Sequence, residues 1–427
     1  MADETALKAA IRASIQNYCA AHHDFSFQPN KPVIRLHEPT FGADEIWAAL
    51  DCMLTTQVTL GPKVRQFERE FASAYRYHDT LMCNSGSSAN LLAIAALTTP
   101  RVADGLRAGD EVIVPALSWS TTVWPLIQQN LIPVVVDIDP VTLNLDPMAV
   151  EKAIGPKTRG IMPVHVYGNP CDMSALLDIC HRHNLILIED CCEALGAFYD
   201  GKAVGSFGRV GTYSFYFSHH MTTLEGGLCV TNDASLVDPM RMLRAHGWVR
   251  ETVDPEIYYA QHPEIDRRFL FMDVGYNLRP TELQGAMGTV QLPKLPGWVE
   301  HRRVNAEWWL DRFQRWGNVM TMQQETPNAR SSWFGICLTL NDDAGFSRAD
   351  ICKFMNERGI ETRPIIAGNI AAQPALKLYP HRVAGDLPNA TAVMHRGFAF
   401  ANHQEVNDTA RQYIADALED FMAGRAG

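Results

Sequence analysis

Between residues 81 and 190 the chain switches repeatedly between two periods, and that alternation limits the folds open to it. Short apolar, often β-branched runs stand at Leu81–Cys83, Glu111–Val114, Pro133–Asp137, Ile161–Val166 and Leu185–Ile188. Stretches with helical spacing follow several of them, at 89–97, after Trp119 to Gln129, and at 172–182. Short buried strands separated by helices predict a mostly parallel sheet covered on both faces, an α/β architecture. In such sheets a ligand sits at the carboxyl ends of the strands, so the residues just past each run are the ones to read for chemistry.

The rest of the chain frames this unit. Helices are expected at 5–22, 43–55 and 62–75, the last opening on Pro62, a residue suited to a first helical turn. An extended segment runs from Phe25 to Val33. After about residue 290 the pattern turns α+β, with a strand at Trp333–Leu340, a helix at 347–357, a strand at 359–363 and a terminal helix at 407–423. The expected division is an N-terminal helix and arm at 1–34, a large domain at 35–290 and a smaller C-terminal domain at 291–427. At 427 residues, 47% hydrophobic and 20% charged, the chain can bury a sizeable core. Its net charge of −11 argues against nucleic acid or anionic membranes as general partners. No apolar run reaches membrane-span length, and the N-terminus has no secretory pattern. The ten cysteines are scattered, with no metal-ligand spacing, so the expected compartment is the reducing cytoplasm.

Four stretches carry candidate chemistry. Asn84-Ser85-Gly86-Ser87-Ser88 opens a strongly apolar helix, where free backbone N–H groups and the helix dipole suit a phosphate; a Ser-rich cap also serves any ordinary helix. Trp119 follows a strand end, placed either to stack on a ring or simply to pack. Asp190 ends an apolar strand and Glu193 follows it. Residues 211–227 run as a strand with Tyr213, Phe215 and Phe217 alternating, then break at His219-His220 into a polar loop that ends on Gly226-Gly227.

These stretches together resemble the nucleotide-sugar aminotransferases, fold type I enzymes of pyridoxal phosphate (PLP). Their segment Ser-Phe-x-x-x-Lys matches Ser214-Phe215 with His219 in the lysine's place. No neighbouring lysine substitutes, since none occurs between Lys202 and Lys294. Imidazole cannot form the Schiff base; it can only accept and donate protons. The resemblance implies a phosphate cup at Gly86, Ser87 and Ser88, ring stacking by Trp119, a pyridine-nitrogen partner in Asp190, and Glu193 near the phenolic oxygen, where relatives carry Gln or His. Gly275-Tyr-Asn-Leu-Arg resembles a motif whose asparagine, here Asn277, reaches the neighbouring subunit's phosphate, which implies a homodimer with shared sites.

Histidine in the lysine's place is the mark of the family's sugar 3-dehydratase branch. Its iron–sulfur members carry a Cys-x-Cys and a further Cys after about residue 250, whereas 250–275 here contains no cysteine; no cluster is expected. The resemblance therefore implies 3-dehydration of a nucleotide-linked 4-keto-6-deoxyhexose. Non-covalently bound PLP or pyridoxamine phosphate (PMP) would be the cofactor, His219 the acid and base, ammonia a product and glutamate the amino donor. An atypical sugar aminotransferase and a catalytically inactive sensor remain as alternatives.

Overall fold

The computed structural model describes residues 3–424. Among them an eight-stranded sheet dominates. In chain order its strands are β1 (Asp79–Cys83), β2 (Glu111–Pro115), β3 (Ile132–Val136), β4 (Thr158–Ile161), β5 (Ile186–Asp190), β6 (Val210–Ser214) and β7 (Gly227–Thr231), joined much later by Arg382–Val383. The spatial order is β1-β7-β6-β5-β4-β2-β3, with Arg382–Val383 on the far edge. Only β7 runs against its neighbours; it pairs antiparallel with both β1 and β6. The strands from β6 to the far edge pair in parallel. Their apolar runs are buried nearly throughout, as strands covered on both faces must be.

The helices follow from the same patterning. The N-terminal helix α1 (Glu4–His22) is tied to α2 (Ala43–Leu54) by Lys8–Asp51 at 2.9 Å and Arg12–Asp44 at 3.2 Å. Helix α3 (Pro62–Tyr75) begins at Pro62 and buries Val64, Phe67 and Phe71. Helix α4 (Gly86–Thr98) is apolar on nearly every side and is buried accordingly, because such a helix has no face to offer water. The short α5 (Ser120–Gln128) follows β2, and α6 (Met173–His183) follows β4.

A second, four-stranded antiparallel sheet is built from Met320–Met322, Gly335–Leu340, Thr362–Arg363 and Gly397–Ala401. Its core holds Trp309, Phe313, Phe398, Phe400 and Phe421. The boundary expected at 290/291 is crossed, since Ile365, Ile366, Leu376, Ala390 and Val393 pack into the core of the large sheet. The outermost ends of the expected segments, residues 1–2 and 425–427, lie outside the described residues.

Several element ends differ from expectation. The strand read at Ile161–Val166 is β4 at Thr158–Ile161, followed by an isolated parallel bridge of Val164 with Asp190; Pro163, which has no N–H for a ladder, interrupts it. The strand read through Phe217 stops at Ser214. There the Phe215 N–H donates to the Gly226 carbonyl and the His219 N–H closes a turn on the Tyr216 carbonyl, both at 2.9 Å. The histidine pair thus sits on a turn rather than on extended chain. The strands read at 333–340 and 359–363 shorten to Gly335–Leu340 and Thr362–Arg363.

Candidate active site

The carboxyl ends of β1, β2, β5 and β6 open into one cavity of about 330 Å³. Of the residues singled out in the sequence, Gly86, Ser87, Trp119, Asp190, Glu193, Ser214 and His219 line it. Ser88 and Asn277 do not. Ser88 is turned into the helix cap, its N–H donating to Ser85 Oγ at 3.1 Å. Asn277 is exposed, one residue before Leu278, whose carbonyl accepts the Asn84 N–H at 3.0 Å; its own Oδ1 accepts from Arg279 Nε at 2.9 Å.

One end of the cavity is built on the start of α4. Ser85 is the N-cap, and Ser87 Oγ donates to Thr121 Oγ1 at 3.0 Å. Gly86 is required here: a Cβ on it would lie 2.5 Å from Ser214 Cβ. Gly227 is required for the same reason, since its Cβ would meet the Ser85 carbonyl oxygen at 2.2 Å. The helix start can therefore lie directly against β6 and β7, with its first N–H groups facing the cavity, the arrangement that binds anions.

Asp190 forms the floor. It is almost fully buried, and its Oδ2 accepts from Thr122 Oγ1 at 2.7 Å and Asn90 Nδ2 at 2.9 Å. Its Oδ1 accepts the Cys192 N–H at 3.1 Å. Asn90 is itself fixed, because its Oδ1 accepts from Thr212 Oγ1 at 2.6 Å. Beneath the floor His165, Glu189 and Cys191 form a buried cluster. Glu189 accepts N–H groups from Gly205, Phe207 and Gly208 as well as the ring of His165 at 3.2 Å. Those donors occupy the carboxylate lone pairs, so the cluster braces the end of β5.

The opposite end carries two titratable side chains, His219 and Glu193. His219 lines the cavity, tilted against Phe334 with ring centroids 5.2 Å apart. Its Nδ1 is buried without a hydrogen-bond partner, and burial pushes its pKa down to about 4. His220 is fully buried and faces away from the cavity, with Nε2 3.1 Å from the Ser332 carbonyl oxygen. Glu193 Oε2 accepts the Tyr167 N–H at 3.0 Å, and burial pushes its carboxyl up to about 7. Trp119 stands at the mouth, 52% exposed.

The sequence reading missed Asn90, Thr122 and Arg363. An asparagine four residues past Gly86 on an otherwise apolar helix was a legible signal for the first. Arg363 reaches the cavity from the second sheet, and nothing local to the sequence announces it.

The residues present fit a phosphorylated pyridine cofactor. A helix start stripped of side-chain bulk suits its phosphate, a buried carboxylate its ring nitrogen, a half-exposed Trp its ring face, and the orphaned His219 Nδ1 a polar neighbour. Comparison with known proteins agrees. The chain is 39% identical over 374 residues to GDP-4-keto-6-deoxy-D-mannose 3-dehydratase of Yersinia pseudotuberculosis, covering 86% of this chain and 94% of that one. It is 34% identical to dTDP-4-dehydro-2,6-dideoxy-D-glucose 3-dehydratase of Saccharopolyspora spinosa, covering 97% and 92%. Among solved structures, E. coli GDP-4-keto-6-deoxy-D-mannose 3-dehydratase with bound hydrated PLP superposes with a TM-score of 0.83 at 37% identity, over 90% of this chain and 99% of that one. A GDP-4-keto-6-deoxymannose 3-dehydratase with a trapped PLP–glutamate geminal diamine gives 0.81 at 36% identity, over 89% and 100%. Residues 39–419, with the whole cavity inside them, match one family throughout, and the chain belongs to it: the DegT/DnrJ/EryC1/StrS aminotransferases.

Proposed function

We propose that this protein is a PLP- and PMP-dependent 3-dehydratase of a nucleotide-linked 4-keto-6-deoxyhexose, releasing a 4-keto-3,6-dideoxy sugar and ammonia. The observation that carries the reading is His219 lining one cavity with Gly86, Ser87, Trp119, Asp190 and Ser214. A member of this family that lacks the Schiff-base lysine but keeps the rest retains proton transfer and gives up covalent capture of the cofactor. The activities of the Yersinia and Saccharopolyspora relatives support the same reading.

The roles follow from the geometry. The α4 start with Gly86 and Ser87 holds the phosphate, and Ser88 fixes the cap through Ser85. Trp119 covers the ring, and Ser214 supports the cup from β6. Asp190, oriented by Thr122 and Asn90, holds the pyridine nitrogen in its protonated form. When bound, the cofactor supplies an amine to the sugar's keto carbon and a conjugated sink for electrons. His219, unprotonated at neutral pH, takes the proton from the cofactor's C4′ carbon. Glutamate is the proposed amino donor, supported by the glutamate adduct in the solved relative. The absence of cysteine between 250 and 275 supports a reaction without an iron–sulfur cluster. Asn277, exposed and outside the lining of its own chain's cavity, supports a homodimer in which it serves the partner's site.

The test is a panel of 4-keto-6-deoxy nucleotide sugars incubated with purified protein, PMP and glutamate. Mass spectrometry of the sugar and an ammonia assay are the readouts. The expected result is loss of the C3 oxygen with ammonia released, by a protein that sediments as two chains and gains no covalent cofactor on borohydride treatment. A 4-amino sugar as the product would make the protein an aminotransferase, and no conversion of any panel member would leave a binding protein.

A further inference from the structure

His219 lacks the usual anchor of a histidine base. Such a ring is normally oriented by a hydrogen bond on its second nitrogen, but His219 Nδ1 is buried without a partner. The Cys192 carbonyl lies near the ring, and the ring's flanks are aromatic: Phe334 at 5.2 Å between centroids and 32° between planes, Tyr216 at 6.2 Å and 79°. Tyr216 is half exposed at the cavity mouth. Phe334 differs, because its backbone is fixed from several directions.

Phe334 closes the segment Ser331–Phe334, which lies outside any helix or strand. Each of its four carbonyls takes a hydrogen bond from a side chain elsewhere in the chain. Arg303 Nε donates to Ser331 at 2.8 Å, His220 Nε2 to Ser332 at 3.1 Å, Asn402 Nδ2 to Trp333 at 2.9 Å and Arg302 Nη1 to Phe334 at 2.9 Å. The N–H groups of Ser332 and Phe334 donate in turn to the carbonyls of Gly168 and Tyr167, at 2.9 and 2.8 Å. Buried irregular backbone needs partners, but two features exceed that need. Arg302 is 3% exposed and has no carboxylate partner among the described residues, a costly placement for a cation; its Nη1 serves the carbonyls of Phe334 and Asn402. Trp333, next to Phe334, sits at φ 45°, and backbone of that kind persists only where its surroundings over-determine it.

We propose that Phe334 is a positioning residue for His219: the clamped turn Ser331–Phe334 holds a ring face against the imidazole and gives it one orientation in the cavity. The proposal rests on the reading of His219 as the base and says what aims it. An aromatic face suits the task, since it restrains the plane of the imidazole while leaving both of its nitrogens free of a competing donor. Arg302 acts one step further back, through the Phe334 carbonyl. The clamp also ties the two histidines together, because His220 holds the Ser332 carbonyl two residues before Phe334.

The test is a double-mutant cycle in single turnovers of the PMP form. Phe334→Leu keeps an apolar side chain but offers no ring face. With His219 present it should lower the rate about 10- to 100-fold, the scale for a misplaced reacting group, while affinities for PMP and sugar stay within about threefold. In the His219→Asn background the same substitution should change the residual rate by less than about threefold, because no imidazole is left to aim. Arg302→Lys keeps a cation that cannot span both carbonyls; its smaller loss should vanish in the same background, and if it fails to fold the Phe334 cycle decides alone. A readout independent of turnover is the crystal structure of cofactor-free Phe334→Leu beside that of the wild type. The His219 ring should be displaced or divided between orientations by more than about 0.5 Å or 20°, the tolerance of a working site. Equal losses with and without His219 overturn the proposal, as does a His219 ring unmoved in Phe334→Leu. If the wild type dehydrates no panel sugar, the dehydratase reading fails, and the two crystal structures still decide whether Phe334 fixes the ring.

Discussion

The two ends of the cavity are made differently. At the end formed by α4 and Asp190, polar groups are largely satisfied before any ligand arrives. Ser85 caps the helix, Ser87 bonds Thr121, and Asp190 takes three donors, one of them held in turn by Thr212. At the other end they are not. His219 Nδ1 and Tyr167 Oη are buried without partners, and Arg363 makes no ion pair or side-chain hydrogen bond among the described residues. The backbone there is also strained: Tyr167 (φ 53°), Trp333 (φ 45°) and Ile366 (φ 46°) all occupy the left-handed region, at a cost of about 1–3 kcal/mol each. Groups that hold a ligand work best fixed in advance, whereas groups that move protons must keep a free lone pair or a loosely held proton.

The sharpest way to break that contrast is His219→Asn. It should lower single-turnover dehydration by roughly 10²–10⁴, the scale for losing a general base, while PMP affinity by fluorescence titration stays within a few-fold. A parallel loss of affinity would show that the two ends are one. Next comes Gly86→Ala, which drives a methyl into Ser214. An overpacking cost of about 1–3 kcal/mol should appear as weaker PMP binding, about five- to 150-fold, with turnover at saturating PMP changed less. The smallest effect on catalysis is expected for His220→Gln. Losing ring packing against Phe334, 5.4 Å away, should lower the midpoint of urea unfolding, while turnover per folded molecule changes by less than about threefold. A larger loss than for His219→Asn would exchange the roles of the two histidines.

The same contrast explains what the sequence made legible. The parallel sheet was readable because buried strands and helices carry their periods locally, and the cup because a helix start, a glycine and a strand end are neighbours in the chain. The strand ends at Ser214 and Ile161 were misplaced because what stops them is a turn hydrogen bond and a proline, both invisible to period counting. Arg363 was missed because it comes from the second sheet, and only tertiary packing brings it to the cavity that His219 lines. Asn90 and Thr122 matter through Asp190, a partnership that lies in space rather than in spacing.

The pairing of Arg382 with Val134 on the far edge of the large sheet sets an order on how the molecule is made. The chain leaves the ribosome from its N-terminus, so the edge of β3 emerges early and then waits while the second sheet's first strands and the helices between are synthesised. Until residues 382–383 appear, that edge presents unpaired N–H and C=O groups, which recruit any other extended chain nearby. Closing it requires contact between segments far apart in sequence, a slow class of folding event. A chain released before that point carries every residue of the cavity described above and still has an open seam along β3.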